Sequence, residues 1–207
     1  MTDETIYLVR HGETRWNVAR RIQGQLDSEL TDRGIEQAHA FGRLLHRHLP
    51  SDGTFAIEAS PSGRATATAR IIAEEGGRDP VEIQTTALLA ERHMGDWAGL
   101  TLDEVDRMSP TADVRRTIDD PAFVPPGGES FAALAARARS WLARDRTSPV
   151  TIAVSHGLIG QTIRGAFLGH APTVTLNGRH PQDRVFRLHA DRIEELLAWA
   201  DDTTPCR

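Results

Sequence analysis

TIYLVRHG (Thr5–Gly12) and VTIAVSHG (Val150–Gly157) follow one pattern: an apolar, largely β-branched run, then His, then Gly. Each run reads as a buried strand, Thr5–Arg10 and Val150–Ser155. Gly after the His lets the backbone turn sharply or approach a ligand closely. A helix is expected after each pair, so each His sits at a strand end near a helix N-terminus, a good place to meet an anion.

Outward from these two strands, helical and extended segments alternate. Thr31 is a suitable N-cap for a helix carrying Ile35, Ala38, Phe41, Leu45 and Leu49 on one face, with Pro50 as its stop. A strand over Phe55–Ala59 runs through Ser60-Pro61-Ser62-Gly63 into a helix over Arg64–Glu75, ended by Gly76-Gly77. Val81–Thr85 reads as a further strand. Residues 88–128 are rich in Gly and Pro and predict short helices and loops that cap the site. Ser130 caps a helix whose apolar face is Phe131, Leu134, Ala135, Ala138, Trp141 and Leu142. The helix after Val150–Ser155 is expected over Gly157–Leu168. Val185–His189 and Ile193–Leu197 are closing pieces, strand or helix, and the tail after Asp201 is expected to fray. The whole predicts one domain over 1–207, an α/β fold: a three-layer α/β/α sandwich around a mostly parallel sheet. Such a sheet binds its ligand at the carboxyl ends of its strands.

Composition narrows the chemistry. The chain has 207 residues, 39% hydrophobic and 26% charged, a globular balance. Every one of its 24 basic residues is Arg. Lys-dependent Schiff-base enzymes, P-loop NTPases and protein kinases are therefore excluded in their usual forms. One Cys, Cys206, excludes an internal disulfide, an iron–sulfur cluster and a thiolate zinc cage. A net charge of −5 disfavours a broad nucleic-acid surface. No apolar run approaches the roughly 20 residues of a membrane span, and no signal peptide opens the chain, so a cytoplasmic location is expected.

Two His and two Arg, with Arg10 directly before His11 and Arg64 opening the helix after a third strand, can converge on one small volume. That many cationic or potentially cationic groups require a compensating anion. Phosphate fits best, because Arg offers planar paired donors to its oxygens.

These residues also carry a resemblance. LVRHGETRWN (Leu8–Asn17) resembles the signature of the histidine phosphatase superfamily, the phosphoglycerate-mutase-like family. SELTDRGIEQA (Ser28–Ala38), SPSGRATATA (Ser60–Ala69), LLAERHMGDWAGLT (Leu88–Thr101), PPGGES (Pro125–Ser130) and AVSHGLIGQTIRG (Ala153–Gly165) resemble its later segments in order. The resemblance implies a phosphoglycerate-mutase-like fold. It implies His11 as the nucleophile that becomes a phosphohistidine. Arg10, Arg64 and His156 would hold the phosphoryl oxygens, and Glu91 would protonate the leaving group. Asn17 would be a further donor, with Thr14, Gln23, Gly24 and Gly157 near or lining the site. No metal or cofactor is implied. The expected partner is a small phosphorylated metabolite, not nucleic acid or membrane, with a homodimer left open.

Physical chemistry sets conditions on that reading. Imidazole attacks phosphorus only through an unprotonated ring nitrogen, and adjacent Arg10 disfavours protonation of His11. The phosphoryl oxygens need positive donors, and a departing alkoxide needs a proton. Other residues receive blander readings. Glu129 is a helix N-terminal charge, His93 a substrate-side or structural residue, His46 and His48 are solvated, and Trp97 packs. Arg115-Arg116 is a solvated helix face, with a grip on a substrate carboxylate as the alternative.

Within the family the phosphatase branch is favoured over the mutases. Pro125-Pro126 run directly into Gly127-Gly128-Glu129-Ser130 without the mutase insert. Leu158 follows the second His-Gly where mutases tend to carry Asn, and Gly95-Asp96-Trp97 resembles the phosphatases. Ala98 departs from that branch, and Glu91-Arg92-His93 also resembles the mutase version. A non-catalytic phosphate-binding module predicts loss of His11 or Glu91, and neither is lost. A metal-dependent hydrolase built on His11, Glu91, His93 and His156 predicts sensitivity to chelators.

Overall fold

In the computed structural model, residues 4–50, 52, 54–77, 83–108, 120, 122–171 and 181–198 are described. Six strands form one sheet: β1 (Thr5–Arg10), β2 (Ala56–Ala59), β3 (Gln84–Thr85), β4 (Val150–Ser155), β5 (Arg184–His189) and β6 (Arg192–Leu197). Their spatial order is β3-β2-β4-β1-β5-β6. The first four are parallel, and β5 and β6 complete the sheet antiparallel. The helices are α1 (Arg15–Val18), α2 (Asp32–His46), α3 (Gly63–Glu75), α4 (Leu102–Met108), α5 (Phe131–Leu142) and α6 (Gly157–Phe167).

Strand alternation divides the core between two layers. Tyr7 and Val9 of β1, with Ile152 and Val154 of β4, pack against Phe41, Leu44 and Leu45 of α2 and Ala65, Ala69 and Ile72 of α3. The intervening Ile6, Leu8 and Ala153 face the other way, onto Leu134 and Trp141 of α5 and Ile159 and Ile163 of α6. Burying each such Leu or Ile stabilises by about 1.5–3 kcal/mol, and a run apolar on both faces is therefore held in the middle of the sheet. A third cluster, Ile22, Met94, Trp97 and Val105, gives part of the 88–128 segment its own small core. Trp97 stacks on Phe123, with ring centroids 4.6 Å apart, so it packs as expected.

The capping expectations hold. Thr31 accepts from Gly34 N at 3.0 Å and Ser130 from Ala133 N at 3.1 Å. Several boundaries differ from expectation. β2 begins at Ala56 rather than Phe55, and α6 ends at Phe167 rather than Leu168. Ile35 is 39% exposed, because the first turn of α2 buries Gly34 instead. The Arg15–Val18 turn was not expected; Thr14 and Asn17 form a reciprocal capping box that nucleates it. The two closing pieces are both strands, joined through Ala190 and Asp191 at φ 47° and 60°. Two consecutive left-handed residues match a type I′ hairpin turn, but Ala-Asp carries none of its usual Gly or Asn signal. Of the expected strand Val81–Thr85, only Gln84–Thr85 is seen as strand, and residues 81 and 82 lie outside the described residues. Arg115, Arg116, Cys206 and the tail after Asp201 also lie outside them.

Candidate active site

The strand order builds the site. β1 and β4 are parallel neighbours in register, with Arg10 beside Ser155, and His11 N donates to Ser155 O at 3.0 Å. The two His-Gly pairs therefore leave the sheet side by side. The His11 and His156 rings lie 5.2 Å apart between centroids, edge to face at 61°. β2 borders β4 on its other side and delivers Arg64 in the first turn of α3. Glu91 follows the turn Ala87–Leu89, which is tied to β4 by the Ser155 hydroxyl donating to Leu89 O at 2.8 Å. The ends of four neighbouring strands thus supply the groups, as an open α/β sheet requires.

His11 Nδ1 lies 2.7 Å from its neighbour's carbonyl, Gly12 O. A carbonyl only accepts, so Nδ1 carries the proton and Nε2 keeps its lone pair. Burial holds the His11 pKa well below the ordinary value of 6.5, and the Arg10 and Arg64 guanidiniums depress it further, against a smaller opposing pull from the Gly12 bond. His156 is lowered in the same way, by burial first and then by Arg64, His11, Arg10 and Arg137. Both imidazoles are thereby kept neutral near pH 7.

Arg64 is buried and clamped from behind. Its guanidinium donates to Leu26 O at 2.6 Å, Gly24 O at 2.8 Å and Asp27 Oδ1 at 3.1 Å. Arg64 Nε is buried without a protein hydrogen-bond partner, as is His156 Nδ1. Buried polar atoms without partners are costly, and an anion's oxygen would satisfy the Arg64 Nε donor. Burial lowers the pKa of Arg64 and of Arg10, with the Glu91 carboxylate opposing in both cases.

Glu91 sits on the N-terminus of α6. Leu158 N and Ile159 N donate to it at 3.1 and 3.2 Å, and Arg92 N at 2.8 Å. A Cβ built on Gly157 would stand 3.6 Å from Arg10 Cζ and 3.7 Å from Glu91 Oε2, so Arg10 and Glu91 approach each other over this glycine. Ser60, Ser62, Gly24, Arg64, Glu91 and His156 are among the residues lining a cavity of about 170 Å³.

The remaining expected residues form the support. Asn17 Oδ1 accepts from Thr14 N, from the Thr14 hydroxyl and from Gln182 Nε2, at 3.1, 3.1 and 3.2 Å. The donor end of the Asn17 amide is the part left for a ligand. Thr14 is fully buried, and its hydroxyl also accepts from Gln23 Nε2 at 2.8 Å. Thr14 and Gln23 thus brace Asn17. Gly24 takes φ +52° and presents its carbonyl to Arg64.

His93 Nδ1 accepts from Gly95 N at 3.2 Å on an exposed turn. Among the described residues no group of three or more His, Cys, Asp or Glu is placed to hold a metal ion. No helix among them is long and apolar enough to cross a membrane. His46 and His48 are exposed.

Three positioning residues were missed from sequence. Asp27 anchors Arg64. Ser60 lies 2.7 Å from His156 Nε2. Arg137 donates to Leu88 O, Ala90 O and Glu91 O at 3.1, 2.6 and 3.3 Å, fixing the segment that carries Glu91. Its remaining donors pair with both oxygens of Glu129, at 3.1 and 2.8 Å. Glu129 is therefore the partner of a half-buried Arg rather than a free helix-end charge. The only sequence signal for Arg137 was a basic residue close to the apolar stripe of α5.

Comparison with known proteins places the chain among relatives of the same family and fold. A glucosyl-3-phosphoglycerate phosphatase of Mycolicibacterium vanbaalenii is 36% identical over 175 residues, covering 79% of this chain and 74% of that protein. A probable phosphoglycerate mutase GpmB of Photorhabdus laumondii is 40% identical over 169 residues, with the same two coverages of 79% and 74%. The solved structure of a mycobacterial glucosyl-3-phosphoglycerate phosphatase complexed with VO3 superposes with a TM-score of 0.76 at 30% identity, covering 94% of this chain and 97% of that one. The family model of the histidine phosphatase superfamily (branch 1) matches residues 6–202. The chain belongs to the histidine phosphatase superfamily, branch 1.

Proposed function

We propose that the protein is a metal-independent phosphomonoesterase acting on small phosphorylated metabolites through a phosphohistidine on His11. The observation that carries this reading is the His11 tautomer: Nδ1 is spent on Gly12 O, which leaves a neutral, buried Nε2 lone pair among Arg10, Arg64 and His156. Relatives named as phosphatases, at 36% and 32% identity, support it.

Substrate enters with its phosphoryl oxygens on Arg10, Arg64, His156 and the Asn17 amide, which neutralise charge spread over the equatorial oxygens. Nε2 of His11 attacks phosphorus; the N–P bond forms as the ester P–O bond breaks. Glu91 gives its proton to the departing oxygen. The carboxylate then takes a proton from water, whose oxygen attacks phosphorus. The N–P bond breaks, inorganic phosphate leaves, and His11 regains its lone pair.

The alternative is the activity in the name of one relative, a phosphoglycerate mutase, in which a retained hydroxyl would accept the phosphoryl group instead of water. The test is phosphate release from a panel of phosphorylated metabolites without bisphosphoglycerate, with His11→Ala as control. Release that vanishes in the variant, with an acid-labile phosphohistidine trapped in the parent, is expected. No release from any compound, but phosphoglycerate interconversion with a bisphosphoglycerate primer, would favour the mutase. Release surviving in His11→Ala would sink the mechanism, as would loss of activity in excess chelator.

A further inference from the structure

His156 has two ring nitrogens in different surroundings. Nε2 lies 2.7 Å from the Ser60 hydroxyl, and Ser62 Oγ is more distant at 3.4 Å. Nδ1 is buried and makes no hydrogen bond within the protein, so it is the nitrogen left for a ligand. A neutral imidazole carries one proton. If that proton sat on Nε2, Nδ1 would turn a lone pair towards an incoming anion. If it sits on Nδ1, the same atom becomes a donor.

The Ser60 hydroxyl can serve either tautomer, donating to a bare Nε2 or accepting from Nε2–H. Ser62 N donates to Ser60 Oγ at 3.4 Å, which leaves that oxygen one further lone pair and its proton. Two acceptors compete for that proton, Ser62 Oγ at 3.4 Å and His156 Nε2 at 2.7 Å. The 2.7 Å separation is the usual length when a hydroxyl donates and is shorter than the roughly 2.9–3.0 Å of an N–H donor, which favours Ser60 donating to Nε2. Ser60 is only 1% exposed and its backbone N donates to Val154 O at 2.9 Å, so β4 and the start of α3 hold this oxygen in place. Arg64, Arg10 and Arg137, with His11 alongside, bear on His156, and Glu91 lines the same cavity.

We propose that Ser60 is a positioning residue that donates to His156 Nε2 and so fixes its proton on Nδ1, making a neutral His156 a hydrogen-bond donor to the phosphoryl group. The two site histidines then share a tautomer but have opposite tasks. His11 exposes the lone pair of Nε2 to phosphorus, and His156 presents the N–H of Nδ1 to oxygen. The inference rests on the phosphatase reading for its consequence but not for its geometry.

The test is imidazole NMR on the ¹⁵N-labelled, ligand-free protein near neutral pH, with the His156 resonances assigned by comparison with His156→Asn. A protonated, pyrrole-type Nδ1 and a bare, pyridine-type Nε2 are expected. In Ser60→Ala the two should move towards each other as the tautomers mix. Affinity for inorganic phosphate should fall about 10- to 100-fold, the range for one hydrogen bond to a charged group. Ser60→Thr, which keeps the hydroxyl, should restore both. A wild-type Nε2 that carries the proton overturns the proposal, as does a Ser60→Ala protein with unchanged tautomer or unchanged phosphate affinity. The expected tautomer in a protein that releases phosphate from no metabolite would remove the phosphatase reading and leave this inference standing.

Discussion

Gly34→Ala separates local propensity from tertiary fit. Gly34 lies in the first turn of α2, where Ala is favoured over Gly by roughly 0.5–1 kcal/mol. On propensity alone the substitution stabilises. The structure reverses the sign. A Cβ on Gly34 would stand 2.0 Å from Glu13 O and 2.8 Å from Glu13 N, both backbone atoms. Real Cβ atoms essentially never come within 3.0 Å of a neighbour, so the Glu13 carbonyl and α2 must separate by about 1 Å. Overpacking of this kind costs about 1–3 kcal/mol, enough to outweigh the propensity gain. Glu13 follows His11 by two residues, and Gly12 packs on the same helix, its own Cβ position 2.2 Å from Gly34 O. A shift near 1 Å transmitted to the nucleophile would lower turnover about 100-fold. The assay is p-nitrophenyl phosphate hydrolysis together with urea unfolding, with Gly76→Ala as control. That control Cβ meets its nearest atom at an ordinary 3.5 Å and is expected to be near neutral. A Gly34→Ala protein as stable as the parent, with unchanged kcat, refutes the reasoning.

Three further outcomes follow from the site. Glu91→Gln keeps the side chain's size but removes its proton, so kcat should drop by about 10²–10⁴ for alkyl phosphates and much less for p-nitrophenyl phosphate, whose leaving group needs little protonation; equal losses for both would argue against Glu91 as the acid. Arg137→Gln breaks the pair with Glu129, in which the two side chains are 15% and 16% exposed, and frees the carbonyls of Leu88, Ala90 and Glu91. Stability should fall on the order of 3 kcal/mol, with kcat falling more than phosphate affinity; an unchanged kcat in a folded variant would show that Arg137 does not place Glu91. His11 and His156 are both depressed from 6.5, so the unfolded state binds more protons than the native state below that pH. Their contribution to stability is therefore complete above about pH 6.5 and is lost as pH falls towards the native values. The urea midpoint should decline below that pH, and the acidic limb of kcat/KM should lie well under it; a kcat/KM profile that titrates at 6.5 would contradict a neutral buried His11.

Much of the fold was legible because the information is local. Thr5–Arg10 and Val150–Ser155 announce buried strands by composition, and Thr31 and Ser130 place helix starts through side chains that cap their own backbone. The chemistry-bearing residues stood out because strand-end His-Gly pairs and a helix-opening Arg are written into short segments. The same segments carry the family resemblance that the comparisons bear out.

What the sequence did not determine depends on partners far away in the chain. Segment patterns do not state neighbours, and only the order β2-β4-β1 brings Arg64, His156 and His11 together. The tautomer of His11 is decided by a carbonyl whose direction follows from the turn, and the orphaned Nδ1 of His156 by the burial of the whole site. Arg137 reads as one more basic residue of a surface helix until α5 packs beside residues 88–91. Ile35 belonged to the apolar stripe, yet Gly34 is buried in its place, because the loop after His11 lies against that turn too closely for any side chain. The sequence by itself determined which chemical groups stand at the strand ends. The tertiary structure decided their distances, tautomers and supports, because burial and hydrogen-bond direction are properties of packed neighbours rather than of a segment.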